Sequence, residues 1–412
     1  MIEIKVLIFT VTVGKGHNQV ADSIKKYYSN KNIFCKIIDI FGYVNRNFQR
    51  YLSNGYLFST KYLSNLYGKL YGRVEKNGER IDIIFKITNI FLAQKIIGCM
   101  LENSPDVVIY THVFAAQFVT EIFKASKSFL GGKIYDTINF KVGQKQKRNL
   151  ERKNIESLFK RIINVGVITD FTIHPYWENV LVDYYVVASE QFENCAKKRG
   201  IEAQKIKPFG IPIDVKFTKI LDKKIARDMI GIEDKRTALI TTGGAGYGEV
   251  LKSIKEIVCS SQDFQIVVVC GLNEKLKKRI EKLECSKKIY IKGFVDNMEV
   301  FMDASDFIIA KPGGVTTSES LSKGLPMIII SPIPGHEDRN TEFLLNNGAA
   351  IKTSKTFPID EAIYQLFTNE RRFKAMKEAS LGLAKPNSTR DLCDFLEELC
   401  VVENDLLKND CS

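Results

Sequence analysis

Short apolar runs recur along this chain, separated by stretches long enough to hold a helix. In the first half they fall at residues 5–10, 34–40, 106–110, 162–169 and 182–188; in the second, at 238–242, 265–270, 288–292, 307–310 and 327–331. The second set is short and mostly apolar on both parities, as expected of strands covered on both faces by helices in a parallel sheet. A helix is predicted over 18–30, directly after the first run. This alternation leaves α/β layers as the fold class.

At 412 residues the chain is well past the ~250–300 at which one core stops growing, so two domains are expected. The texture breaks at residues 207–217, where Pro208, Gly210 and Pro212 interrupt the periodicity. We place the junction there, giving two doubly wound halves, 1–209 and 210–384, facing across a cleft. A closing segment, 385–412, contains a helix over 391–407 with Leu392, Phe395, Leu396 and Leu399 on its apolar side. Ligands of such folds bind in the cleft at the carboxyl ends of the strands.

Nine cysteines are scattered without a C-x-x-C pair, which speaks against a zinc ribbon or a thioredoxin-type site and predicts buried free thiols in a reducing compartment. The opening apolar run contains Glu3 and Lys5 and reads as a strand, not a secretory signal. No eighteen-residue uncharged apolar stretch occurs, so a cytoplasmic chain without a membrane span is expected.

The net charge of +12 is lopsided: residues 1–210 hold 31 basic against 18 acidic residues, and the remainder 29 against 30. A basic first half facing an anionic partner fits this split, as does a solvated lysine surface. Two segments stand outside the α/β pattern. Residues 45–80 carry Tyr51, Tyr56, Phe58, Tyr62, Tyr67 and Tyr71 among basic residues. Residues 127–161 hold ten basic against three acidic residues. Both have the composition of interfacial segments, aromatics at headgroup level with Lys and Arg against anionic lipid. A rim of core tyrosines and a solvated loop are the competing readings. No nucleic-acid-binding module is recognisable, so nucleic acid is not expected as a partner.

The four histidines, His17, His112, His174 and His336, each follow an inferred strand. His17 closes the loop Thr12–Val13–Gly14–Lys15–Gly16–His17, which opens a helix and suits an anion cradle beside a general base of near-neutral pKa. Two further glycine loops, 241–248 and 311–319, follow strands of the second half. Two such backbone nests aimed at one cleft fit a diphosphate. Glu319, inside the second helix start, fits the acidic partner of vicinal ribose hydroxyls. There is no D-x-D, so no metal is expected at the diphosphate and no cofactor is called for. The leaving charge would fall to backbone N–H groups and a helix dipole.

With these residues in view, the segments GKGHNQVA at 14–21, VITDFTIHPYW at 167–177 and PGGVTTSESLSKGLPMIIISPIPGHEDRN at 312–340 resemble the monogalactosyldiacylglycerol synthase and processive diacylglycerol glucosyltransferase family. The resemblance covers nearly the whole chain and implies a GT-B glycosyltransferase: two Rossmann-like domains, acceptor and membrane on 1–209, UDP-sugar on 210–384, and a final helix crossing back. It implies catalytic roles for His17, Asp170 and His174, with Gly16, His112 and His336 close by. It also implies donor contacts from Gly243, Gly244 and Gly246, from Phe294 and Val295 at uracil, from Gly313, Gly314 and Thr316 at phosphate, from Glu319 at ribose, and from Glu337, Asp338 and Asn340 at the hexose. Val113 stands where the family commonly has proline, His336 where glutamine is frequent, and 127–161 is longer than the usual connection.

The expected activity is an inverting, metal-independent transfer of a hexose from UDP-glucose or UDP-galactose to diacylglycerol or a glycosyl-diacylglycerol. The expected site of action is the anionic inner face of the cell membrane, where the protein would be peripheral. A UDP-N-acetylglucosamine transferase acting on a polyprenyl-linked precursor, a UDP-sugar epimerase of the same fold, and a non-catalytic UDP-sugar sensor remain as rivals.

Overall fold

The computed structural model describes residues 4–12, 16–44, 89–126, 161–242 and 250–409. The tyrosine-rich segment, nearly all of the basic 127–161 segment, and Gly243, Gly244 and Gly246 lie outside these residues.

Twelve strands form two all-parallel sheets of six. The first contains β1 (Lys5–Thr10), β2 (Phe34–Asp39), β3 (Val107–Tyr110), β4 (Ile163–Val167), β5 (Tyr184–Val186) and β6 (Ile206–Lys207), in the order β2-β1-β3-β4-β5-β6. The second contains β7 (Thr237–Thr241), β8 (Gln265–Val269), β9 (Ile289–Lys292), β10 (Phe307–Ala310), β11 (Met327–Ile329) and β12 (Ala350–Lys352), in the order β12-β11-β10-β7-β8-β9. Central strands β3, β7, β8, β10 and β11 are buried along their whole length, whereas edge strands β2 and β9 are largely half-buried. Continuous apolar runs in the sequence thus correspond to strands with neighbours on both sides and helices on both faces.

Two strands were not anticipated. β6 has two residues and ends at Lys207, immediately before Pro208; β12 is a three-residue edge strand after Gly348. Neither is long enough to show a period.

One apolar core runs through both halves: Ile8, Val20, Ile24 and Tyr28 of the first belong to the same buried cluster as Ile308, Val315 and Leu321 of the second. The last helix, Ser388–Asn409, joins them, burying Leu392, Cys393, Leu396 and Cys400. That spacing places one stripe against the core. The same helix lies on the first helix, Gly16–Asn30: Tyr27 Oη donates to Asp394 at 2.8 Å, and Lys31 Nζ reaches Asp394 at 2.7 Å and Glu397 at 2.9 Å. At the junction Gly210 has φ +96°, and a Cβ there would overlap Lys385. Thr389 Oγ1 donates to the Ile213 carbonyl at 2.6 Å, tying the crossover to the start of the last helix.

Among the described residues the eight cysteines form no disulfide, but Cys259 and Cys285 are exposed, so burial holds for only part of the set. Among the described residues no helix is long and apolar enough to cross a membrane.

Candidate active site

The site is assembled from strand ends. Loops after β1, β3 and β4 meet those after β10 and β11 across the cleft, as the carboxyl-end rule for parallel sheets requires.

Neighbouring strands β1, β3 and β4 converge on one imidazole. His17, the second residue of the helix Gly16–Asn30, places Nδ1 2.8 Å from the Thr111 carbonyl oxygen, with Thr169 Oγ1 2.9 Å from the same nitrogen. A carbonyl can only accept, so in the neutral ring Nδ1 carries the proton and Nε2 the lone pair. Thr10 and Thr12 brace this helix start through Asn18, and the Asp39 carboxylate accepts from the Thr12 amide at 2.6 Å and the Gly42 amide at 2.6 Å.

The other two described imidazoles are set the opposite way. His112 Nδ1 accepts from the Phe114 amide at 3.1 Å, and His174 Nδ1 accepts from the Tyr176 amide at 3.2 Å. Each therefore bears its proton on Nε2 when neutral and presents a donor. Together the rings form a row: His17 to His112 at 4.4 Å between centroids, His112 to Phe114 at 5.0 Å, Phe114 to Tyr176 at 5.9 Å and Tyr176 to His174 at 4.5 Å. His112, Phe114, Tyr176 and His174 are all half-buried.

On the second half, Gly313 precedes the helix Gly314–Ser322, whose first turn holds half-buried Thr316. A Cβ at Gly314 would overlap the Thr169 carbonyl of the first half, and Gly16 faces Val315. Gly314 permits the two halves to touch at the helix start, whereas a Cβ at Gly16 would make only an ordinary contact with Val315. Glu319 is buried and accepts from Gln19 Nε2 of the opposite half at 2.7 Å. Burial pushes its carboxyl up to about 8; Lys216 opposes the shift, Asp214 and Glu299 reinforce it, and the Gln19 bond opposes it.

Asn340, fully buried, links the halves as well. Its Oδ1 accepts from the Phe171 amide at 2.7 Å, while Nδ2 donates to Asp170 Oδ1 at 3.1 Å and to the Pro312 carbonyl at 2.9 Å. Asp170, expected near the acceptor, thus faces a residue expected at the hexose. Glu337 Oε2 accepts from the Ile333 amide at 2.6 Å, and Asp338 Oδ2 from the Gly335 amide at 2.7 Å, so both carboxylates shape the loop that carries them. Burial lowers the pKa of neighbouring Lys311, against the opposing charge of Glu337. His336 starts the helix His336–Asn346; its side chain lies outside the described ones. Phe294, at the end of β9, is 70% exposed and Val295 half-buried, which leaves an aromatic face open at the rim.

The structure therefore gathers Gly16, His17, Thr316 and Glu319 around one helix start and Asp170 with Asn340 beside it, while Phe294 and Val295 stand apart at the end of β9. Sequence reasoning missed the Thr111 carbonyl, Thr169, Gln19, Phe114 and Tyr176. Of these, Gln19, Thr111, Phe114 and Tyr176 lie within two residues of a histidine that was singled out, but no local pattern reports a partner 300 residues away.

The sequence profile of the monogalactosyldiacylglycerol (MGDG) synthase family matches residues 17–131 and 140–213, and that of the glycosyltransferase family 28 C-terminal domain matches residues 237–392. A processive diacylglycerol beta-glucosyltransferase of Bacillus cereus (strain AH187) is 30% identical over 95% of this chain and 93% of its own. Monogalactosyldiacylglycerol synthase 1, chloroplastic, of Arabidopsis thaliana is 25% identical over 99% of this chain and 73% of its own. Among solved structures, UDP-GlcNAc 2-epimerase from Neisseria meningitidis superposes with a TM-score of 0.52 at 15% identity, covering 96% of this chain and 100% of that one. At that identity the likeness speaks to the GT-B architecture alone.

Proposed function

Because the chain belongs to the family of monogalactosyldiacylglycerol synthases and processive diacylglycerol glucosyltransferases, we propose that it moves a hexose from a UDP-sugar to diacylglycerol or a glycosyl-diacylglycerol. The donor is UDP-glucose or UDP-galactose. The observation that carries the chemistry is the 2.8 Å approach of the Thr111 carbonyl to His17 Nδ1, from which it follows that Nε2 is the basic nitrogen. In the reaction the acceptor hydroxyl gives its proton to Nε2 as its oxygen bonds to the anomeric carbon. The bond from that carbon to the diphosphate oxygen breaks, UDP leaves with the electron pair, and the anomeric centre inverts.

The departing charge is met by backbone N–H groups where the helix Gly314–Ser322 begins, an anion site by geometry and dipole. No step calls on a metal, in keeping with the lack of a D-x-D sequence. His112 and His174 serve as donors on the acceptor side, and the Phe114–Tyr176 row supplies a wall for the glyceride. Asp170 and Asn340 hold each other across the cleft and keep the loops of the two halves in register. The basic first half meets anionic lipid on the inner face of the cell membrane, which places the acceptor hydroxyl at the cleft.

The test is UDP release from UDP-glucose, UDP-galactose and UDP-N-acetylglucosamine in turn, each with and without diacylglycerol in anionic mixed micelles. Release that depends on diacylglycerol with a hexose donor is expected. Release only with UDP-N-acetylglucosamine and a polyprenyl-linked acceptor would replace the acceptor assignment. UDP binding with no release under any condition would leave a sensor.

A further inference from the structure

Glu319 is reached from the wrong side of the cleft for a residue of the donor half. Gln19 extends from the first helix of the opposite half, two residues past His17, and its amide Nε2 donates to Glu319 Oε1 at 2.7 Å. Gln19 itself is exposed while Glu319 is buried. The bond therefore joins a surface side chain of one half to an interior carboxyl of the other. Among the described residues nothing donates to Glu319 Oε2. One carboxyl oxygen is held and its partner oxygen is left to accept.

We propose that Gln19 is a positioning residue for the donor: it fixes the Glu319 carboxyl from across the cleft so that Oε2 is presented to the ribose hydroxyls. The inference rests on the reading of Glu319 as the ribose ligand and adds to it a residue from the half otherwise assigned to the acceptor. Two consequences follow from the chemistry. A carboxylate that keeps one hydrogen bond in a fixed direction loses less side-chain freedom when a diol arrives. An N–H donor also favours the charged form of a carboxyl that burial otherwise drives toward the neutral acid, and the charged form is the better acceptor. Because Gln19 and His17 share one helix start, the contact that tunes the donor site forms together with the placement of the base.

The experiment is calorimetric binding of UDP and 2′-deoxy-UDP to the full chain and to Gln19→Ala, Gln19→Glu and Glu319→Ala, with steady-state kinetics on the same proteins. Gln19→Ala is expected to weaken UDP about tenfold, the scale of one hydrogen bond to a charged group. It should also shrink the preference for UDP over 2′-deoxy-UDP and raise KM for the donor much more than it lowers kcat. Gln19→Glu keeps the size but replaces the donor with a second carboxyl, and should weaken UDP at least as much. A purely structural role would not alter the ratio between the two nucleotides. If Gln19→Ala binds UDP as tightly as the parent or tighter, while Glu319→Ala has lost the ribose preference, the proposal is wrong and the ribose reading stands. If Glu319→Ala keeps the full preference for UDP, the ribose reading itself is wrong.

Discussion

At the scale of single residues, His17 and Glu319 are set by what touches them more than by where they fall in the chain. The Thr111 carbonyl decides which nitrogen of His17 is basic, and replacing His17 by alanine removes that base while leaving the helix start in place. General-base help is worth about 10²–10⁴ in rate, so His17→Ala should lower turnover by that factor with UDP affinity within about twofold. A parallel loss of UDP binding in calorimetry would remove the assignment. Glu319 makes a second, independent prediction. Its carboxyl is pushed up to about 8 by burial, so between the ordinary glutamate range and that value the folded, donor-free protein holds a proton the unfolded chain has lost. This group's contribution to stability is therefore full at low pH and fades as pH rises toward about 8. Ribose hydroxyls donate to the charged form, so UDP binding should release a proton and weaken about tenfold per unit below pH 8. Calorimetry in buffers of different ionisation heat checks it, and Glu319→Gln should bind without that proton release. The chemistry-bearing residue types at strand ends were legible in the sequence. The tautomers were not: that of His17 depends on a carbonyl 94 residues away in another loop, and those of His112 and His174 on how their own segments fold back to the amide two residues on.

At the scale of elements, the glycine pairs separate two kinds of constraint. Gly313 precedes its helix with an ordinary φ of −65°, so no backbone strain demands glycine there. Gly314 is different, since any Cβ would meet the Thr169 carbonyl of the opposite half. Gly314 is the first residue of its helix, where the interior preference for alanine over glycine does not apply, and Gly314→Ala should leave the helix itself intact. It should nevertheless push the halves apart and lower kcat/KM by tenfold or more, the cost of a small misplacement of reacting groups. Unchanged kcat/KM in that variant would show that the close approach at Thr169 has no part in catalysis. The glycine loop was visible in the sequence as an anion cradle; its second use, as the contact surface between halves, was not. The strands divide along the same line. Runs of four or more residues were legible because burial on both faces writes itself into composition. β6 and β12 were hidden because each ends on a lysine, Lys207 or Lys352, and sits in no longer apolar run, whereas the similarly short β5 and β11 lie inside the runs 182–188 and 327–331.

At the scale of the whole molecule, the charge split gains meaning from how the described lysines are used. On the first helix, Lys26 pairs with Asp214 of the crossover at 2.7 Å, and Lys31 pairs with Asp394 and Glu397 of the last helix. These basic residues neutralise the chain's own acids and hold its halves together, so they add little to the field outside. Residues 127–161 are another matter, with ten basic against three acidic side chains, a net +7 that supplies over half of the +13 counted in residues 1–210. If the basic half meets anionic lipid, this segment is the main source of the attraction. Each Lys or Arg near such a surface contributes about 1 kcal/mol, screened within a Debye length of about 8 Å at physiological salt. Co-sedimentation with vesicles rich in anionic lipid should accordingly fall steeply between 50 and about 500 mM salt and be weak with zwitterionic vesicles. Replacing Lys141, Lys145, Lys147 and Arg148 by glutamine should reproduce the high-salt result at low salt, leaving UDP affinity unchanged because neither the donor residues of the second half nor Gln19 belongs to this segment. Binding that ignores salt and survives the fourfold replacement would mean that apolar insertion, not charge, brings the cleft to its lipid.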